Sequence, residues 1–125
     1  MIAADTSTWV AFLQGESTAD TDLLAQALHD RQLLMIPAVL AELLSEPKLP
    51  QDVARTLSEV PPVELGADYW QRAGKLRAKI LAKDRRARLG DALIAQGCLD
   101  GGILLLTRDR DFRAFAEIAG LKLTA

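Results

Sequence analysis

Three short, wholly apolar runs constrain this chain more than any other feature: IAA (2–4), LLMI (33–36) and ILLL (103–106). A strand that is apolar throughout needs cover on both of its faces, and parallel strands at the centre of a sheet have this character. Segments with helical spacing lie between them. Thr6 to Leu13 reads as a helix stopped by Gly15, and TADTDLLAQALHD places Leu23, Leu24 and Leu28 on one helical face, with Asp20 or Thr21 as its cap. PAVLAELLSE opens on Pro37, which suits the first turn of a helix. QDVARTLSEV, the stretch from Asp68 to about Leu81, DALIAQGCLD and FRAFAEIAG complete the helical set, with Gly101 and Gly102 stopping the third of these. PPVEL is extended because prolines bias their neighbours that way, and LKLTA reads as a final edge strand. Alternation of this kind predicts an α/β fold, three-layer α/β/α, around a short parallel sheet of four or five strands. Residues 1–125 are expected to form one domain.

Such sheets bind ligands beyond the carboxyl ends of their strands. Asp5 stands directly after the first apolar run, and Asp109 follows ILLL after only Thr107 and Arg108. Taken alone, Asp5 is a helix cap, and so is Asp91 in LGDALIA. Asp109 in TRDRDF reads as a turn or cap residue, with Asp111 as the alternative cap. Glu42 lies in the apolar helix PAVLAELLSE, where an exposed face is the simplest place for it. Together the four acids ask for more. Carboxylates gathered in one cleft raise each other's pKa, and a cation relieves that cost. Oxygen ligands suit Mg²⁺ or Mn²⁺. With one histidine, His29, and one cysteine, Cys98, a His/Cys zinc site is disfavoured; His29 is expected at the surface or core edge and Cys98 in the core.

Four segments resemble the motifs of PIN-domain ribonucleases, in that family's order: ADTSTWVAFL, PAVLAELL, GDALIA and LLLTRDRDF. They span residues 2–112, and the compact length is similar to that of the VapC-type toxins of bacterial toxin–antitoxin pairs. The resemblance implies an endoribonuclease using one or two Mg²⁺ or Mn²⁺ ions. Asp5 and Asp91 would be the principal ligands, with Glu42 and Asp109 completing the acidic pocket directly or through water. Thr6 or Ser7 would orient Asp5 or a water on the metal, and Thr107 would act similarly. Asp109 is favoured over Asp111 as the fourth acid because it lies closer to the strand end. Asp111 would instead hold the loop or cap the following helix. The resemblance also implies a cognate antitoxin protein and a homodimer, for which the helices at 20–30 and 50–60 are candidate faces.

The net charge is -2, so affinity for RNA has to come from a local patch. Lys75, Arg77 and Lys79 read as a solvated helix face. Lys83, Arg85, Arg86 and Arg88 run directly into Asp91 and are candidate phosphate contacts, as are Arg108 and Arg110 around Asp109. Aromatic residues are 5% of the chain, which provides no stacking platform; Trp9 and Trp70 are expected in the core or an interface. MIAADTST has neither a basic n-region nor a long apolar run, and no segment is apolar for the ~20 residues of a membrane helix. A cytoplasmic protein without membrane contact is the expectation. Two other readings fit the same residues: a housekeeping RNA-processing nuclease, and a non-catalytic α/β interaction module whose acids are only caps.

Overall fold

The computed structural model describes residues 1–124. The elements are β1 (Ile2–Ala4), α1 (Thr6–Leu13), α2 (Ala19–His29), α3 (Pro37–Leu44), α4 (Gln51–Glu59), α5 (Tyr69–Leu81), α6 (Leu89–Gly101), β2 (Leu104–Leu106) and α7 (Phe112–Ala119). Among the described residues this is an α/β fold of seven helices and a small parallel sheet.

β1 and β2 pair in parallel, with Ile2 opposite Leu104 and Ala4 opposite Leu106. The expected four or five strands reduce to these two among the described residues. The other extended segments still align in parallel, but as single bridges: Leu33 on Ile2, Met35 on Pro62, and Leu123 on Leu105. The backbone explains why pairing stops there. Leu34 donates to Ile2 and Met35 donates to Pro61, so the segment divides its few residues between two neighbours. Ile36 is already the N-cap of α3. Pro61 and Pro62 have no N–H to extend a ladder.

The core forms where the apolar runs meet the helices. Trp9, Leu24, Met35, Ile36, Leu57, Ile80, Leu105, Phe112 and Phe115 are fully buried. Cys98 is buried too, and burial pushes its thiol up to about 12. His29 and Trp70 are exposed, while Trp9 is in the core. The cap of α2 is Thr18, in a reciprocal box with Thr21, and not Asp20 or Thr21 as the sequence suggested. Helix α6 begins two residues before Asp91, with Arg88 as N-cap, so Asp91 sits in the first turn instead of capping it. Gly102 adopts φ +61 and ends that helix in a left-handed turn that suits a residue without Cβ. Among the described residues no helix is long and apolar enough to cross a membrane.

Candidate metal centre

The carboxyl ends of β1 and β2 deliver the acids side by side. The Asp5 N–H donates to Leu106 O at 3.0 Å, which ties the chain after one strand to the end of the other. Asp5 is buried, at 3% exposure, and both its carboxylate oxygens accept hydrogen bonds. Oδ1 takes the Thr8 N–H at 3.1 Å, the capping bond, and the Ser7 hydroxyl at 2.6 Å. Oδ2 takes the Thr107 hydroxyl at 2.5 Å. Asp5 is therefore a cap geometrically, and it is also fixed from the far end of the chain.

Asp91, Asp109 and Asp111 each offer a carboxylate oxygen, and the three oxygens lie within 4.8 Å of one another. Asp91 Oδ2 is buried with no hydrogen-bond partner. Burial raises the Asp91 pKa to about 6; the charge of Asp109 adds to the rise, Arg88 opposes it, and Asp111 and Asp5 add further. Asp109 Oδ1 accepts the Asp111 N–H at 2.9 Å, an Asx-type turn that holds the two acids in register. The Asp109 N–H in turn donates to the Thr107 hydroxyl oxygen at 2.9 Å.

Glu42 is exposed and stands outside this trio. Its Oε1 accepts the Thr6 hydroxyl at 3.1 Å, which connects it to the start of α1. The two hydroxyl residues beside Asp5 thus divide the work: Ser7 serves Asp5 and Thr6 serves Glu42. Asp109 and Asp111, weighed as alternatives from the sequence, are brought together by the fold.

The cations fall into two groups. Arg85 pairs with Glu117 at 2.7 Å, and Arg86 approaches Asp111 at 3.9 Å. Arg108 is held by Glu16 and Asp20. Lys83, Arg88 and Arg110 make no ion pair among the described residues. A groove is lined by Asp20 and Asp109 together with Arg108, Arg110, Arg113 and Leu123. In the sequence Arg113, one turn beyond Arg110, carries no distinct signal and Asp20 reads only as a cap candidate; the fold brings Asp20 to Arg108 across 88 residues.

The donor set fits a hard divalent cation. It consists of oxygen atoms only, carries excess negative charge, and contains a buried carboxylate oxygen that no protein group satisfies. Asp91, Asp109 and Asp111 would hold such an ion. Asp5, expected from the sequence as a principal ligand, stands outside this trio, with both its oxygens accepting hydrogen bonds.

Among curated proteins, none shows significant sequence similarity to the chain. Solved structures resemble it over nearly its whole length. The structure of VapBC2 from Rickettsia felis, bound to a DNA fragment from its promoter, matches with a TM-score of 0.75 at 22% identity, covering 99% of this chain and 98% of that one. FitAcB from Neisseria gonorrhoeae matches with a TM-score of 0.71 at 16% identity, covering 100% and 97%. VapBC-5 from Mycobacterium tuberculosis, from the VapBC family of toxin–antitoxin systems, matches at 0.64 and 21%, covering 98% and 95%. At these identities the likeness concerns the fold. The PIN domain family matches residues 2–118, which include β1, β2 and all the acids described above, and the chain belongs to that family.

Proposed function

We propose that the chain is a divalent-metal-dependent endoribonuclease and the toxin of a type II toxin–antitoxin pair. The observation that carries the nuclease reading is the buried, partnerless oxygen of Asp91 beside Asp109 and Asp111. Pure caps need no such oxygen, whereas a cation-binding acid does. Family membership supports the nuclease class. The folds of the VapBC and FitAcB proteins support the toxin assignment, and with it a cognate antitoxin as partner.

Bound Mg²⁺ or Mn²⁺, as one or two ions, would lower the pKa of water and offset charge developing at the scissile phosphodiester. Asp91, Asp109 and Asp111 would supply the ligating oxygens, and Asp5 and Glu42 would complete the acidic pocket. Ser7 and Thr107 keep the Asp5 carboxylate from rotating by holding one oxygen each. Thr6 holds one oxygen of Glu42. Lys83, Arg86 and Arg88, on the connector leading into α6, meet the phosphate backbone of the RNA strand, and Arg110 meets it beside Asp109. Exposed Trp70, Leu81 and Leu89 lie on α5 and at the start of α6, where a second copy of the chain can cover them.

The test is cleavage of a mixed RNA pool with Mn²⁺, using the native chain, Asp5→Asn and Asp91→Asn. Cleavage by the native chain and loss in both variants supports the reading. Equal activity in all three sinks it. Growth arrest on expression, relieved by co-expression of an adjacent gene product, separates a toxin from a housekeeping nuclease.

A further inference from the structure

The β2–α7 loop carries Thr107, Asp109 and Asp111, yet its sequence TRDRD has no apolar side chain with which to anchor itself. Something else must hold it, because polar surface loops are mobile by default. We propose that Arg108 and Asp20 form a strut that sets the position of Asp109 relative to Asp5, and that both are positioning residues for the metal centre. This rests on the reading of the acids as a metal site.

The geometry is a fork. Arg108 Nε donates to Asp20 Oδ2 at 2.6 Å and Nη2 donates to Oδ1 at 3.0 Å. Nη1 reaches Glu16 at 3.0 Å, and Nη2 also reaches the Thr18 hydroxyl at 2.5 Å. Two-point pairing of this type fixes orientation as well as distance. Asp20 is itself held. Its Oδ2 accepts the buried Thr8 hydroxyl at 3.1 Å, and its Oδ1 accepts the Thr18 hydroxyl at 2.5 Å.

Thr8 links the strut to the acids. Its N–H donates to the capping carboxylate of Asp5 while its hydroxyl donates to Asp20. On the other side, the Arg108 N–H donates to Ser7 Oγ at 3.1 Å, and Ser7 donates to Asp5. Asp5, Thr8, Asp20, Arg108 and Ser7 thus close a ring that contains an acid of the proposed metal pocket. Displacing Arg108 moves its neighbours Thr107 and Asp109 as well.

A phosphate contact is a poorer use of this arginine. Every nitrogen of its guanidinium already meets a protein acceptor. Two carboxylates, Glu16 and Asp20, surround one positive charge, so the local balance repels a polyanion.

The test compares the native chain with Arg108→Ala, Arg108→Lys and Asp20→Asn. Mn²⁺ affinity is read by titration calorimetry, metal-free melting by circular dichroism, and RNA cleavage as kcat and KM. Loss of groups that orient ligands typically costs about 10–100-fold in metal affinity. Arg108→Ala and Asp20→Asn are expected to weaken Mn²⁺ by about tenfold or more and to lower kcat, with KM nearly unchanged. Arg108→Lys, which can still reach one Asp20 oxygen, recovers part of the loss. Asp20→Asn keeps the shape and one of the two oxygens that accept from Thr8 and Thr18, and covers the case in which Arg108→Ala fails to fold. Native Mn²⁺ affinity in folded Asp20→Asn overturns the strut, and so does a raised KM with unchanged kcat in Arg108→Ala. A native chain that binds no Mn²⁺ overturns both the strut and the metal centre. One that binds Mn²⁺ without cleaving RNA overturns only the nuclease reading, because the strut is judged on affinity.

Discussion

The Thr107 hydroxyl donates to the Asp5 carboxylate at 2.5 Å, joining residues 102 positions apart. The same oxygen accepts the Asp109 N–H at 2.9 Å. One side chain therefore orients an acid at the end of β1 and the backbone of an acid after β2. Thr107→Val keeps the shape and removes both bonds. It is expected to lower Mn²⁺-dependent cleavage by about 10–100-fold and stability by about 1–3 kcal/mol, because a buried acceptor loses its donor. Thr107→Ser retains most of both. Cleavage rates and urea unfolding of the two variants check this.

Asp91 predicts a pH dependence of the metal-free protein. Its pKa is raised to about 6 in the fold, against an ordinary value of 3.8. A raised carboxyl binds its proton more tightly when folded. Its contribution to stability is therefore complete below about pH 4 and is lost as the pH rises through about 6. Melting temperature measured between these limits should fall for the native chain relative to Asp91→Asn, and the difference should level off above them. An unchanged difference across the window would show that Asp91 does not titrate as placed.

Metal binding reverses that cost. Mn²⁺ at 100 times its Kd stabilises the folded state by about 2.7 kcal/mol if the unfolded chain does not bind it. The native melting temperature should rise with Mn²⁺, while that of Asp91→Asn should barely move. Affinity should also weaken as the pH falls below about 6, because protons compete for Asp91. Calorimetry at two pH values tests the competition directly.

Salt dependence separates the cations. Each phosphate contact to single-stranded nucleic acid contributes a slope of about 0.7 in log K against log salt. Lys83→Ala with Arg88→Ala should flatten the slope by about one or more, measured on a non-cleavable RNA by fluorescence anisotropy. Arg85→Ala should change it less, because Arg85 already pairs with Glu117 at 2.7 Å.

Phe112 begins α7 immediately after Asp111 and is 1% exposed. Phe112→Ala should cost about 3–5 kcal/mol in urea unfolding. It should also weaken Mn²⁺ binding in the protein that remains folded, since Phe112 is the buried apolar residue directly after Asp111. Phe115→Ala, further along the same helix, should show the stability loss with a smaller effect on metal.

Local chemistry made much of this architecture readable from the chain. The apolar runs identified β1 and β2, because a buried segment of a parallel sheet tolerates no polar side chain. LLMI reads as extended in the same way, and LKLTA as an edge strand. The ladder, however, depends on which N–H groups are free, and Pro61, Pro62 and the start of α3 cut it to single bridges. Helix ends were readable to within a few residues. That margin hid a difference in role, since Asp91 lies inside the first turn of α6 and not at its cap.

The sequence by itself determined the ingredients of the site: acids after the strands, hydroxyls beside Asp5, and a basic approach to Asp91. Only the tertiary structure decided the partnerships. It joined Asp111 to Asp91 and Asp109, assigned Thr6 to Glu42 and Ser7 to Asp5, and occupied Arg108 with Asp20 and Glu16. The physical reason is distance along the chain. Caps and turns are made by neighbours, whose chemistry is written in adjacent letters. A carboxylate left without a donor, or an arginine enclosed by acids, depends on side chains that meet only once the sheet and helices have packed.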